Sequence, residues 1–170
     1  IVYSYKLLPG AEQQIYSKIA DITISMKSTD YLNMPKLVSS EYEVYLDEKE
    51  KKKYEELKKE LILQLPDGEV TAANAASLSG KLCQMANGAI YTEDGTVLEI
   101  HDKKLEALED IVEAANGKPI LLIYWFHHDM DRIVKKLNEL KVLFEKLDTD
   151  ASIKKWNNGE LPVALLHPMS

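Results

Sequence analysis

The sequence predicts an α/β protein in which a mostly helical region with a β-hairpin precedes the opening strands of a parallel sheet. Hydrophobic residues make up 45% and charged residues 29% of the 170 residues, a balance typical of globular proteins. Amphipathic stretches with helix-capping signals occupy most of the first 116 residues. After residue 117, three short apolar runs alternate with two helical stretches. This β-α-β-α-β order indicates parallel strands joined by crossover helices.

The first predicted helix begins after Pro9 and Gly10. Isoleucines recur on one face of residues 11–26, which is the spacing of an amphipathic helix. An irregular connector around Pro35 follows. Residues 40–46, SEYEVYL, then alternate polar and apolar side chains and predict a strand.

The second predicted helix, residues 47–65, begins at Asp47. Glu50 lies three residues later and completes a capping-box pattern, and Pro66-Asp67-Gly68 ends the stretch. The lysine-rich run KEKKK within this helix is interpreted as a solvated face, with nucleic-acid contact as the alternative.

Turn signals divide the next part of the chain. Thr71 is predicted to cap a helix that stops at Asn87-Gly88, and Asp94-Gly95 is typical of the turn of a β-hairpin. Asp102 is predicted to cap a further helix, which stops at Asn116-Gly117. Residues 1–100 therefore form a first region, and residues 101–170 form a second.

The second region is predicted to hold three strands and two helices. ILLIYWF, residues 120–126, has the composition of a strand buried on both faces. The following elements are a helix at 127–140, a strand at 142–147, a helix at 150–158 and a strand at 163–167. Three strands are few for a parallel sheet, and the chain starts without Met, so we expect a piece cut from a longer polypeptide.

Polar side chains crowd together where the first of these strands meets its helix. Asp129 or His128 is expected to accept hydrogen bonds from free backbone amides there, and Asp131 suits the first helical turn. A metal site is the less favoured interpretation, because neighbours such as His127 and His128 point about 100° apart on a helix. A ligand-contacting loop remains open, since ligands of open α/β sheets bind beyond the carboxyl ends of strands.

Composition and missing motifs limit the function. The net charge of −7 disfavours a self-sufficient nucleic-acid binder, and Arg132 is the only arginine in the sequence. Cys83 stands alone, which excludes an internal disulfide and suits the reducing cytoplasm. We find no secretory signal, no membrane-spanning run, no phosphate-binding GxxxxGK[ST] loop, no GxGxxG, no HExxH and no GxSxG.

Four segments together resemble the Swi/Snf-type, helicase-like ATPases of superfamily 2. Residues 22–57 resemble the family's linking segment, in which a proline-containing connector leads to a strand and an acid-capped helix, and residues 77–91 resemble the helix that follows it. Residues 101–137 are similar to the beginning of the second RecA-like (P-loop NTPase type) lobe. In the family this part contains a helix followed by a strand, and the end of that strand forms the fourth helicase motif. Residues 156–170 resemble the approach to the fifth motif. The compact helicase proteins of phages and prophages show the resemblance best.

The resemblance implies an ATP-dependent DNA helicase or translocase in the intact parent. ATP and Mg would bind between two RecA-like lobes and DNA would lie across both, while the phosphate loop, the first lobe and the sixth-motif arginines would lie outside this chain. The fragment alone is then expected to be inactive, with no catalytic residue, no metal and no bound cofactor. No membrane partner is expected, and an exposed sheet edge could lead to self-association. Candidate contacts to DNA or to the interlobe cleft are Trp125, Phe126, His127, His128, His167, Met169 and Ser170.

Two other functions remain open on the sequence. A non-enzymatic α/β interaction module would present a broad exposed apolar patch on the helices of residues 47–88. A small-molecule enzyme would place its site on residues 125–131 and 167–170.

Overall fold

The chain divides into two units, Ile1–Glu41 and Tyr42–Ser170. The computed structural model describes Lys6, residues 8–24 and residues 35–169.

Helix α1, in the first unit, spans Ala11–Ile19 and is shorter than predicted. The Ile22 amide and the Thr23 hydroxyl both donate to the carbonyl oxygen of Ile19, at 3.1 and 2.7 Å. These bonds close a turn at the point where the helix was predicted to continue. Ile22 is 79% exposed, so the predicted apolar face gains no partner there. Residues 25 and 26 of the predicted helix lie outside the described residues.

Residues 40–46 form no regular secondary structure and pair with no strand in the described part of the chain. The strand predicted here is therefore wrong. Val44 and Leu46 are half-buried, as the alternation requires, but alternation only separates two faces and does not supply a neighbouring strand. Instead, the Tyr42 hydroxyl donates a hydrogen bond of 2.7 Å to the Asp110 carboxylate.

Helix α2 spans Glu48–Glu60 and begins as predicted. The Asp47 carboxylate accepts hydrogen bonds from the amides of Lys49 and Glu50, at 3.0 and 3.1 Å. The predicted end of this helix is wrong, because Leu61 adopts a left-handed conformation with φ of 60° and the helix stops at Glu60, five residues early.

A hairpin replaces the end of the predicted second helix. Strand β1 (Ile62–Leu65) pairs antiparallel with strand β2 (Gly68–Thr71), and Leu63 stands opposite Val70. Both of these side chains are fully buried. A short apolar run suits a helix or a strand equally well by spacing alone, so packing against the core selects the strand.

Helix α3 (Ala75–Asn87) and a second hairpin complete the helical region. Asn74 caps α3 through the Ser77 amide at 2.9 Å, and Thr71, the predicted cap, belongs to β2 instead. The hairpin of β3 (Ala89–Tyr91) and β4 (Val97–Glu99) confirms the prediction. The core of this region consists of Leu57, Leu63, Val70, Met85, Ile90 and Leu98.

The rest of the second unit confirms the predicted β-α-β-α-β order. Its elements are α4 (Lys103–Ala115), β5 (Ile120–Ile123), α5 (His127–Glu139), β6 (Phe144–Lys146), α6 (Asp150–Asn157) and β7 (Val163–Leu166). The three strands are parallel and lie in the order β5-β7-β6, so the last strand sits between the first two. The protein is therefore a mixed α/β protein with a parallel three-stranded sheet.

One face of this sheet is buried under helices. Its core comprises Leu108, Ile133, Leu137, Val163 and Leu165, which come from α4, α5 and β7. On the other face of β5, Leu121 and Ile123 are 42% and 60% exposed. The prediction that this strand is buried on both faces is thus wrong for the described residues. The predicted boundary at residue 100 lies inside the second unit.

Candidate functional site at the carboxyl edge of the parallel sheet

The residues that follow β5 and β7 meet at the carboxyl edge of the sheet. Ile123 and Leu166 are register partners, so Trp125 and His167 continue from neighbouring strand ends. His167 Nε2 lies 3.0 Å from the Trp125 carbonyl oxygen, and the two rings are 6.1 Å apart. Parallel pairing therefore brings together two residues that are 42 positions apart in the sequence.

His127 joins this cluster from the first turn of α5. Its ring lies parallel to that of His167, with an interplanar angle of 3° and centroids 6.4 Å apart. His127 is exposed, Trp125 is 59% exposed, and Met169 is 80% exposed. We name Trp125, His127, His167 and Met169 the rim. Ser170, the last candidate contact from the sequence, lies outside the described residues.

His167 holds the rim together. Its Nδ1 accepts a hydrogen bond of 3.2 Å from the Met169 amide, so the neutral ring carries its proton on Nε2. That proton points to the Trp125 carbonyl oxygen. With both ring nitrogens engaged, His167 orients its neighbours and is poorly placed to act as a general base.

His128 lies away from the rim, although the sequence grouped it with the candidate contacts. It is 2% exposed, and its ring lies between those of Tyr91 and Phe126, at centroid distances of 4.9 and 5.2 Å. Its amide donates to the Tyr91 hydroxyl at 3.0 Å. Phe126 is half-buried in the same stack. Residues on successive helical positions point in different directions, so His127 faces outward while His128 faces the hairpin of β3 and β4.

Asp129 joins the rim to the helical region. One of its carboxylate oxygens, Oδ2, accepts from the Phe126 amide at 3.1 Å and from the Asn87 side chain at 2.9 Å. The other, Oδ1, lies 3.1 Å from His128 Nδ1. Burial raises the pKa of Asp129, but the hydrogen bonds from His128, the Phe126 amide and Asn87 outweigh it, so the pKa lies below its ordinary value. The predicted helix-start acceptor is thus Asp129.

Arg132 ties the end of α3 to the start of α4. It is 6% exposed, and its guanidinium donates to the carbonyl oxygens of Asn87 and His101 and to the Asp102 carboxylate. Asp102 occupies the predicted cap position of α4 but makes no capping bond with its side chain. We name Asn87, His101, Asp102, Asp129 and Arg132 the Arg132 network.

Gly88 allows the network to close. Its φ of 101° is a left-handed conformation, and its carbonyl oxygen accepts from the amides of Ile100 and His101, at 2.8 and 3.1 Å. A Cβ atom at this position would overlap the His101 carbonyl oxygen and lie 2.7 Å from Arg132 Nη2. Glycine is therefore required for the close approach as well as for the helix stop.

His101 is the buried histidine of the network. Burial lowers the pKa of its imidazole, and the nearby Arg132 guanidinium acts in the same direction. The backbone of Met85 and the Asp102 carboxylate oppose this shift only in part, so the pKa lies below the ordinary value of 6.5. His101 is thus neutral in the folded protein at physiological pH.

Two adjoining clefts run from the rim along α4 and α5. The cleft nearest the rim, of about 320 Å³, is lined by Trp125, Ile123 and Lys104 among others. A second cleft of about 280 Å³ shares Asn87, Lys104, Asp129 and Ile133 with it and is otherwise mostly apolar. A cation and an exposed indole therefore border the same space.

The sequence did not single out Asn87, Lys104 or Arg132 as parts of a site. The sequence did contain a signal for Arg132. Arg132, His128 and Asp129 share a helix face with Ile133, and polar and charged residues are unusual on a face that is buried. In the described part of the chain, no group of three His, Cys, Asp or Glu side chains is placed to hold a metal ion. None of the helices described is both long and apolar enough to span a membrane.

Comparison with known proteins finds a phage relative. The chain is 35% identical over 168 residues to protein p41 of Acyrthosiphon pisum secondary endosymbiont phage 1. The alignment covers 98% of the chain and 36% of the phage protein, so the chain spans about a third of that relative's length. The relative comes from a phage, which is consistent with the phage origin predicted from the sequence. No protein-family model matches the chain, and no solved structure matches it.

Proposed function

We propose that the chain is part of a DNA-dependent ATPase of the Swi/Snf type. Residues 1–100 would link two RecA-like lobes, and residues 101–170 would begin the second lobe. The ordered series of four resembling segments supports this assignment. The observation that carries it is the parallel β5-β7-β6 sheet, whose carboxyl edge bears the exposed rim.

The rim has the chemistry of a nucleic-acid contact. Ligands of open parallel sheets bind beyond the carboxyl ends of the strands, which is where the rim lies. The exposed indole of Trp125 offers a surface on which a base or a sugar stacks. His127 offers an imidazole N–H, and Lys104 offers a positive charge to a phosphate group. With a net charge of −7, this chain alone is expected to bind DNA weakly.

Hydrolysis itself is assigned to parts of the parent that this chain does not contain. The sequence has no phosphate-binding loop, and its one arginine, Arg132, is buried in the Arg132 network. Mg-ATP would be held by the first lobe and reached by arginines of the sixth motif. Closure of the lobes would couple ATP turnover to movement along DNA at the rim.

The phage relative p41 provides the direct test. We expect the purified full-length p41 to release phosphate from Mg-ATP, and duplex DNA to increase the rate at least several-fold. A chelator of Mg should abolish the reaction. A full-length p41 that hydrolyses no ATP with or without DNA would refute the proposal.

The rim is tested on the chain itself by fluorescence anisotropy of a labelled DNA duplex at low salt. Trp125→Ala should weaken binding by about 5- to 150-fold, the loss expected when one stacked base is released. Tyr45→Ala is the matched control, because Tyr45 is also aromatic and 74% exposed but lies outside the rim. Equal losses for both variants, or none, would remove the rim from the DNA contact.

A non-enzymatic interaction module is the second candidate function. Its predicted apolar patch on residues 47–88 is small, since among the large apolar side chains described there only Leu61 and Ile62 are exposed, at 39% and 44%. The uncovered face of β5 is the observation that favours this candidate. It is supported if p41 lacks ATP turnover while the chain self-associates and Ile123→Lys makes it monomeric in light scattering.

A further inference from the structure

Asn87 connects the last turn of α3 to two later helices. Its side-chain nitrogen donates to Asp129 Oδ2 at 2.9 Å, and its side-chain oxygen accepts from Lys104 Nζ at 2.6 Å. Its backbone carbonyl oxygen accepts from Arg132 Nη1 at 2.8 Å. The residue is thus held by α4 on one side and by α5 on the other.

Asp129 extends this connection to the rim. The oxygen that accepts from Asn87 also accepts from the Phe126 amide, at 3.1 Å. Phe126 lies between Trp125 and His127 in the chain, so its backbone sets the direction of both rim residues. A single carboxylate oxygen therefore joins the end of α3 to the turn that carries the rim.

We propose that Asn87 is a positioning residue for the rim and acts through Asp129. The geometry needs a donor toward a carboxylate and an acceptor toward an ammonium group in one short side chain, which asparagine supplies. Aspartate at this position would set two carboxylates against each other, and alanine would provide neither bond. Arg132, bound to the Asn87 carbonyl oxygen, fixes the backbone from which this side chain extends.

The consequence for function rests on the proposed DNA-dependent activity. Helix α3 belongs to the region that would link the two lobes. A displacement of α3 would move Asn87, then the Asp129 carboxylate and then the turn that holds Trp125 and His127. DNA contact at the rim would in this way depend on the position of the linking region.

Amide hydrogen exchange, followed residue by residue by NMR, tests the positioning role in this chain. Asn87→Ala should accelerate exchange of the Phe126 amide by about tenfold, the effect of weakening one hydrogen bond to a charged acceptor. The Ile120 amide, which bonds the Pro162 carbonyl oxygen in the same sheet, should keep its rate. Asn138→Ala, at an exposed position of α5, is the matched control and should change neither amide.

Equal acceleration of the Phe126 and Ile120 amides would show a general loss of stability and overturn the proposal. No acceleration at Phe126 would overturn it as well. In an Asp129→Asn background, Asn87→Ala should accelerate exchange of the Phe126 amide by less than half as much as in the unaltered chain, because the Asp129 carboxylate that joins the two residues is already changed. If the effects of the two substitutions on Phe126 exchange are fully additive, Asn87 does not act through Asp129. If Asn87→Ala fails to fold, Asn87→Asp keeps the acceptor for Lys104 and should accelerate Phe126 exchange at neutral pH.

DNA binding separates this proposal from the proposed function. If the unaltered chain and p41 bind no DNA while the exchange pattern is as expected, the DNA-dependent function fails and the positioning role stands. If the chain binds DNA through Trp125 while Asn87→Ala leaves both the Phe126 amide and the affinity unchanged, the positioning role fails and the function stands.

Discussion

Gly88→Ala is the substitution that most directly tests the Arg132 network. A residue with a side chain at φ of 101° is strained by about 1–2 kcal/mol. The added Cβ would also overlap the His101 carbonyl oxygen and lie 2.7 and 2.8 Å from the two terminal nitrogens of Arg132. Displacing the guanidinium from one of its buried acceptors costs about 1.5–3 kcal/mol more. We therefore expect a total loss of about 2.5–5 kcal/mol in the free energy of unfolding.

Gly95→Ala separates strain from crowding. Gly95 also has a positive φ, of 85°, but no atom lies within 4 Å of the position that its Cβ would take. It should cost about 1–2 kcal/mol, which is the backbone term alone. Urea unfolding followed by circular dichroism, with the same slope against urea for both variants, measures the difference. Losses for Gly88→Ala and Gly95→Ala that agree within about 0.5 kcal/mol would refute the reasoning.

The remaining predictions concern the network and the rim. Arg132→Lys should lower the free energy of unfolding by about 2–3 kcal/mol, because lysine keeps the positive charge but lacks the several N–H donors of the guanidinium. Lys135→Met, at an exposed site of the same helix, is the control and should change the free energy of unfolding by less than about 0.5 kcal/mol in the same urea titration. His128→Ala should lower the free energy of unfolding by about 2–4 kcal/mol, because the His128 ring is buried between two aromatic rings. His127→Ala should leave the stability nearly unchanged and weaken DNA binding. If thermal melting and DNA anisotropy show instead that His127→Ala destabilises the fold and His128→Ala weakens DNA binding, the placement of the two side chains is contradicted. The pKa of His101 is lower in the folded chain than its ordinary value of 6.5, so the unfolded state binds the proton more readily. The contribution of His101 to stability should therefore be present above about pH 6.5 and be lost as the pH falls below it, and His101→Gln should flatten this part of the pH profile.

Local signals predicted those elements whose ends are fixed by neighbours in the sequence. Asp47 caps α2, Asn87-Gly88 stops α3, and Asp94-Gly95 turns the hairpin of β3 and β4. In each case, a side chain or a glycine satisfies the backbone within a few residues. The parallel sheet was predictable for a related reason, since short apolar strands separated by helices leave few other arrangements.

The errors fall where a distant partner decides the outcome. Residues 40–46 alternate like a strand but find no neighbouring strand among the described residues. Residues 62–65 fit a helix by spacing, but the left-handed Leu61 and the burial of Leu63 against the core make them a strand. Periodicity states which side chains share a face, and it does not state what that face meets.

The candidate site shows the same division. The sequence indicated the strand ends and the histidines, but it grouped His127 with His128. These two residues are neighbours on a helix and point in different directions, so His127 is exposed and His128 is buried. It gave no sign that Asn87 and Asp129, 42 residues apart, share a hydrogen bond, and the burial of Arg132 was indicated only by its place on the helix face of Ile133.

The sequence by itself determined the α/β class, the parallel direction of the three strands, most helix starts and stops, and the carboxyl edge as the place to look for a site. Tertiary structure alone decided which polar side chains are buried, which of them bind one another, and which rim residues face outward. The physical reason is one of range. Capping and periodicity act over a few residues, whereas burial and hydrogen bonding of Asn87, Asp129 and Arg132 depend on elements that only packing brings together.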